Sequence, residues 1–229
     1  MQRTVFRFLL PLLLSLMSAP ESARAEDEQA GEAPWMRPYV AYEVGLSVVR
    51  NQNLIGADAT GADLWGRIEP DPGFAVGGAL GARFLDLFRG EVHLSYRQSD
   101  VQDMGVGTGP TEASGEIGLF AAMANFYGDL DLDWGVVPYA GFGIGYGLLE
   151  VDAESRDTLQ IGDEASVFVW NVMAGATVPY GEVTELSLGY RYLATTDPEL
   201  DSRVTGRGAR RLDSEYDAHE LVMAVRFSY

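Results

Sequence analysis

Residues 219–229 read HELVMAVRFSY, and they alternate strictly between two kinds of face. Leu221, Met223, Val225, Phe227 and Tyr229 fall on one face of an extended strand, and Val222, Ala224, Arg226 and Ser228 on the other. The apolar face is broad and ends in two aromatics. The opposite face carries a guanidinium between small residues, which the dry interior of a soluble sandwich would not accept unpaired.

The same period of two returns along the chain. Val40 to Val48 opposes Val40, Tyr42, Val44, Leu46 and Val48 to Ala41, Glu43, Gly45 and Ser47. Residues 74–84 and 88–97 repeat the pattern with Arg83, Arg89, Glu91, His93 and Arg97 on the polar parity, and 183–193 repeats it with Glu185 and Arg191. Further segments are 115–128, 138–151 and 166–179; in the first of these GLFAAMANF is apolar on both parities, so its facing is left open. With 217–229 the segments make eight. Their connectors alternate: short near Asp86, at 129–135 and at 180–182, long and polar at 51–72, 98–114, 152–165 and 194–216.

An even number of strands with short turns at one end and long loops at the other is the plan of an outer-membrane barrel. Strands cross hydrocarbon only when closed into a cylinder, because every backbone N–H and C=O must find a partner internally. The prediction is a closed eight-stranded antiparallel up-and-down transmembrane β-barrel, all-β, with its apolar parity toward lipid and its charged parity inside. Arg226 then points into the lumen, and the last strand closes against the first.

The other end of the chain is consistent with export. Residues 1–25 carry Arg3 and Arg7, an apolar run from Phe8 to Met17 and Ala23-Arg24-Ala25, the layout of a cleaved secretory signal peptide. Residues 26–36 are expected to form an acidic, flexible arm and 37–229 the barrel. Cysteine is absent and every basic residue is arginine; 16 arginines face 34 acidic residues, for a net charge of −18. Such a surface repels nucleic acid phosphates, so no nucleic acid partner is expected.

Val225-Arg226-Phe227-Ser228-Tyr229 is similar to the terminal aromatic signal by which the barrel assembly machinery takes up outer-membrane proteins, which implies that role for Phe227 and Tyr229. The stretches 123–127 (MANFY), 138–146 (PYAGFGIGY) and 188–192 (LGYRY) resemble strands of the eight-stranded opacity-protein and surface-antigen family, related in shape to the OmpA transmembrane domain. The likeness covers most of 37–229. It implies a Gram-negative outer membrane location and a structural or adhesin-like role, displaying four long extracellular loops.

Within the barrel, Glu43, Arg83, Arg89, Glu91, Arg97, Arg191 and Arg226 are expected to form a lumen charge network, because buried charges persist only when paired. Glu43 and Arg226 are expected as neighbours across the closure, with Arg83 and Glu91 at similar height. Eight strands leave an interior just wide enough for side chains, so a plug is favoured over the alternative, a narrow small-solute pore. The parity of Gly141, Gly143, Gly145 and Gly147 is expected to leave room for arginines from neighbouring strands. Tyr39, Tyr96, Tyr139 and Trp170 are candidates for interfacial girdles.

A lipid-modifying enzyme is the remaining rival, but His93 and His219 take opposite parities and no serine is singled out by spacing, so no catalytic site, cofactor or metal is assigned. Glu150, Asp152, Glu154, Asp157, Asp163 and Glu164 offer oxygen ligands without an EF-hand pattern. Arg203, Arg207, Arg210 and Arg211 offset carboxylates in the fourth loop. Expected partners are outer-membrane lipid and lipopolysaccharide, the assembly machinery, and a host or matrix ligand at the loops, with the barrel a monomer.

Overall fold

The computed structural model describes residues 35–229 except 51, 58–62, 107–110, 156–158, 197–198, 205–207 and 214–215, and gives the backbone alone at 52–57, 63–69, 102–106, 111–114, 153–155, 159–163, 199–204 and 208–213. Residues 1–25, expected as a signal peptide, and most of 26–36, expected as a flexible arm, lie outside the described residues. The barrel starts slightly before residue 37: Met36 opens the first strand, and Trp35 stacks on Phe84 at 6.2 Å.

Eight strands cross the barrel: β1 (Met36–Val49), β4 (Gly73–Phe84), β5 (Phe88–Val106), β6 (Thr111–Asp129), β7 (Val137–Ser155), β8 (Leu159–Tyr180), β9 (Thr184–Thr195) and β12 (Asp217–Ser228). All pair antiparallel with their neighbours. The ring closes where β1 meets β12, from Tyr39 opposite Ser228 to Val49 opposite Ala218. Tyr229 N–H donates to Pro38 C=O at 3.1 Å, so the ladder continues to the last residue given.

Facing follows the alternation. Val44, Leu46, Leu80, Val92, Leu94, Ile144, Leu188, Leu221 and Met223 are exposed on the outer wall, whereas Arg89, Arg97, Arg191 and Arg226 are buried inside. A soluble protein would reverse this; hydrocarbon outside and polar groups within is the membrane solution. On β6 the inward set is Ile117, Leu119, Ala121, Met123, Asn125 and Tyr127. That segment is apolar on both parities because part of the lumen is itself apolar.

The four polar connectors are not simply loops. β5 to β8 run on unbroken beyond the apolar belt, and two further hairpins, β2 (Gln52–Ala57) with β3 (Asp63–Pro70) and β10 (Glu199–Val204) with β11 (Gly208–Asp213), lie beside them. β3 pairs with β5, β10 with β8 and β11 with β2, so the ring closes a second time above the first. Once outside lipid, the ladder still gains by pairing its backbone groups, but water removes the pressure for alternating apolar side chains. The segments therefore read as polar loops in sequence.

Strands β1, β4, β9 and β12 each break between the two tiers. The breaks are bridged by Arg50 N–H to Asp217 C=O (3.0 Å), Asp71 N–H to Asp100 C=O (2.8 Å) and Thr195 N–H to Tyr216 C=O (2.9 Å). At the other end the short turns fall as expected. Leu85 and Asp86 adopt φ of 52° and 59° in the first, the paired positive φ of a type I′ hairpin.

Candidate functional site: the charged lumen

The lumen nearest the short turns holds a chain of ion pairs built from different strands. Arg89 makes a two-point contact with Asp129, Nε to Oδ2 at 2.7 Å and Nη2 to Oδ1 at 2.8 Å. Arg83 reaches Asp129 at 3.5 Å and donates to Glu185 at 2.8 and 3.1 Å; Arg226 also donates to Glu185. Three guanidinium groups thus share two carboxylates. The rings of Tyr127 and Tyr39 lie 4.4 Å from Arg89 and 5.0 Å from Arg226, where their π faces favour cations.

Glu91 accepts from Tyr39 OH (2.8 Å), Tyr127 OH (2.7 Å) and Asn125 Nδ2 (3.0 Å). Further along, Glu43 receives both Nη atoms of Arg191 at 2.7 Å, and His93 Nε2 stands 3.0 Å from it without hydrogen-bond geometry. Arg191 continues to Glu220 at 3.3 Å, and Glu220 accepts from Arg97 Nε at 2.5 Å. Arg97 also donates to Ser95 Oγ at 2.9 Å. This chain crosses the lumen from β5 to β12, β9 and β1. Paired charges of this kind are expensive to separate, since either partner alone would remain desolvated.

Toward the loop end the lining changes to Val49, Val101, Ile117, Leu119, Leu149, Val151, Val167, Val169, Leu193 and Tyr216, packed into one buried cluster. Between the charged layers lies a cavity of about 40 Å³ bordered by Glu43, Glu91, His93, Arg191 and Arg226. That is room for a few waters.

All seven residues of the expected network point inward, but the pairing differs. Glu43 does not meet Arg226: the register sets Ala41 opposite Arg226 and Ala224 opposite Glu43, so Arg226 turns to Glu185 on the neighbouring β9 and Glu43 to Arg191. Arg83 lies lower than expected, with Asp129 and Glu185, and Glu91 is held by neutral donors. Asp129, Glu185 and Glu220 complete the network. Glu220 and Arg226 share a parity, a signal present in the opening stretch; Asp129 was hidden at a turn boundary.

Tyr39 and Tyr139 are not girdle residues. Tyr39 is buried inside, and Tyr139 lies 5.3 Å from the Arg89 guanidinium. Both share the parity of the small residues Ala41 and Gly141, so the pleat turns them inward. Trp170 is exposed on the outer wall, and Tyr96 shares the outward parity of Leu94.

The glycine parity of β7 makes room for tyrosine, asparagine and leucine rather than arginine. A Cβ at Gly141 would stand 2.5 Å from the Tyr127 ring, one at Gly143 2.0 Å from Asn125 Oδ1, and one at Gly147 2.8 Å from a Leu119 methyl. The two histidines do face different media: His93 is buried in the lumen, while His219 Nδ1 meets Tyr190 OH at 2.5 Å outside. The side chains of Glu154, Asp157, Asp163, Arg203, Arg207, Arg210 and Arg211 lie outside the described residues.

A closed antiparallel ring with an apolar wall and a charged interior defines a transmembrane β-barrel of the outer-membrane class. The chain belongs to the outer membrane protein beta-barrel domain family, whose model matches residues 9–227. It is similar to an uncharacterized protein of Brucella abortus strain 2308, 26% identical over 195 residues and covering 69% of each chain. Among solved structures it is similar to the outer membrane protein OprG of Pseudomonas aeruginosa, with a TM-score of 0.62 at 12% identity over 85% of this chain and 97% of that one. It is also similar to Neisserial surface protein A, with a TM-score of 0.50 at 18% identity over 84% and 97%. These structural likenesses concern the fold. Family membership implies the outer membrane of a Gram-negative bacterium.

Proposed function

We propose that the protein is a non-conducting surface scaffold: a barrel plugged by its own side chains that holds the strand-extended upper tier at the cell surface in a structural or adhesive role, without chemistry of its own. The observation that carries this reading is the buried chain Arg97–Glu220–Arg191–Glu43, which ties β5, β12, β9 and β1 across the lumen. The apolar cluster above it supports the same reading, since a hydrated ion would have to shed its water to enter.

Export by a cleaved signal peptide, uptake by the assembly machinery through Phe227 and Tyr229, a lipopolysaccharide surround and a host or matrix ligand at the loop end belong to this proposal. Display fits the architecture because ladder-fixed strands tolerate variation at their tips.

The test is reconstitution into a planar bilayer. The expected result is no steady conductance; stable openings would replace the scaffold by a small-solute pore. Incubation with labelled lipid A is expected to return it unchanged. Binding of purified protein to host cells, lost on deletion of residues 198–213 from a barrel that still folds, is the expected adhesion result.

A further inference from the structure

The outer wall is not uniformly convex. Near the short turns, Phe84 pairs across strands with Phe88, Phe88 with Gly128 and Gly128 with Ala140; one row higher, Ala82 pairs with Gly90, Gly90 with Phe126 and Phe126 with Phe142. Each row therefore holds two adjacent phenylalanines and two adjacent small residues, and the two rows place them on opposite sides. The result is a hollow of about 490 Å³ rimmed by Phe84, Phe88, Phe126 and Phe142 over Gly90, Gly128 and Ala140. Phe126 and Phe142 stack at 5.8 Å, which fixes one wall.

We propose that this hollow is a binding site for one acyl chain of a phospholipid in the periplasmic leaflet. The short turns of outer-membrane barrels face the periplasm, so the hollow opens among phospholipid tails. It is continuous with the lipid-facing surface directly above, where Val92, Ala124 and Ile144 are paired across β5, β6 and β7. Its volume lies within the range of small-ligand sites, and its lining is mostly apolar: four phenylalanines at the rim and small residues between them, with Arg89, Tyr127 and Gly141 also bordering it. Leu87 and Leu130, exposed in the flanking turns, extend the apolar surface past the strand ends, and Asp129 N–H to Leu87 C=O at 2.8 Å holds those turns together. Flexible chain can fill a concave wall between rigid rings where a second barrel, convex and rigid, would leave a void.

Gly128 allows a test that spares the fold. A Cβ built there meets nothing within 4 Å, so Gly128→Leu fills the hollow without displacing backbone. The full barrel is reconstituted in vesicles of palmitoyl-oleoyl phosphatidylethanolamine, released into mild detergent and weighed intact by native mass spectrometry. The expected result is one retained phospholipid on the natural chain. Gly128→Leu is expected to lose retention about tenfold, the effect of displacing about two buried methylene groups. Ala124→Leu, above the hollow, is expected to leave retention unchanged. Ala140→Leu fills the hollow from the neighbouring strand and serves if Gly128→Leu loses heat-modifiable gel mobility. Equal retention by a folded filling variant, equal loss by Ala124→Leu, no lipid on the natural chain, or a dimer abolished by Gly128→Leu would each overturn the proposal. None of these outcomes bears on conductance, so the scaffold reading stands or falls separately.

Discussion

The two ends of the lumen solve the same problem with different chemistry. From the short turns up to Arg97 the interior is crossed by guanidinium and carboxylate groups, each dependent on a partner from another strand; beside Arg97 and on toward the loops it is filled by Leu119, Val169, Leu193 and their neighbours, none of which needs a particular partner. Charge pairs impose register, because a strand shifted by two residues would orphan them, whereas an apolar cluster tolerates exchange at constant volume. Register is thus specified by the charged part of the lumen, while the apolar part contributes packing without fixing it.

Breaking the charged half should cost most. Glu220→Ala leaves Arg97 and Arg191 buried beside a missing partner and is expected to lower stability by about 3–5 kcal/mol, measured by urea unfolding in lipid vesicles. Leu119→Ala in the apolar half is expected to cost about 2–4 kcal/mol by the same measurement, since methyl groups are lost and a cavity remains. The pair Glu220→Ala with Arg97→Met sharpens the contrast: removing the orphaned guanidinium should restore about 1 kcal/mol or more relative to Glu220→Ala alone. Two simultaneous truncations in the apolar cluster should show no such recovery. At the small end, Arg37→Gln breaks an ion pair with Asp86 in which both side chains are more than half exposed, and its effect is expected to stay below about 1 kcal/mol.

Much of the barrel is legible in the sequence because a membrane strand advertises itself: lipid requires a continuous apolar parity, and Leu221 to Tyr229 and Leu186 to Tyr192 carry it. The upper tier was not legible, since backbone pairing in water leaves no periodic mark on Gly, Asp and Thr. The inward charges of β5 could be named from parity, yet parity says nothing about partners. Arg226 meets Glu185 because barrel register and side-chain reach bring them together, and neither is written in the local pattern. Tyr39 and Tyr139 look like girdle aromatics by type; only their parity with Ala41 and Gly141 turns them inside.

Which medium each strand face meets could be read from the residues alone, because the transfer of a side chain between water, hydrocarbon and a charged interior is a property of that side chain. Which charges neutralise one another, where the lumen turns from ionic to apolar, and the hollow between Phe84, Phe88, Phe126 and Phe142 follow only from the folded barrel, since each depends on which strands lie side by side and in what register.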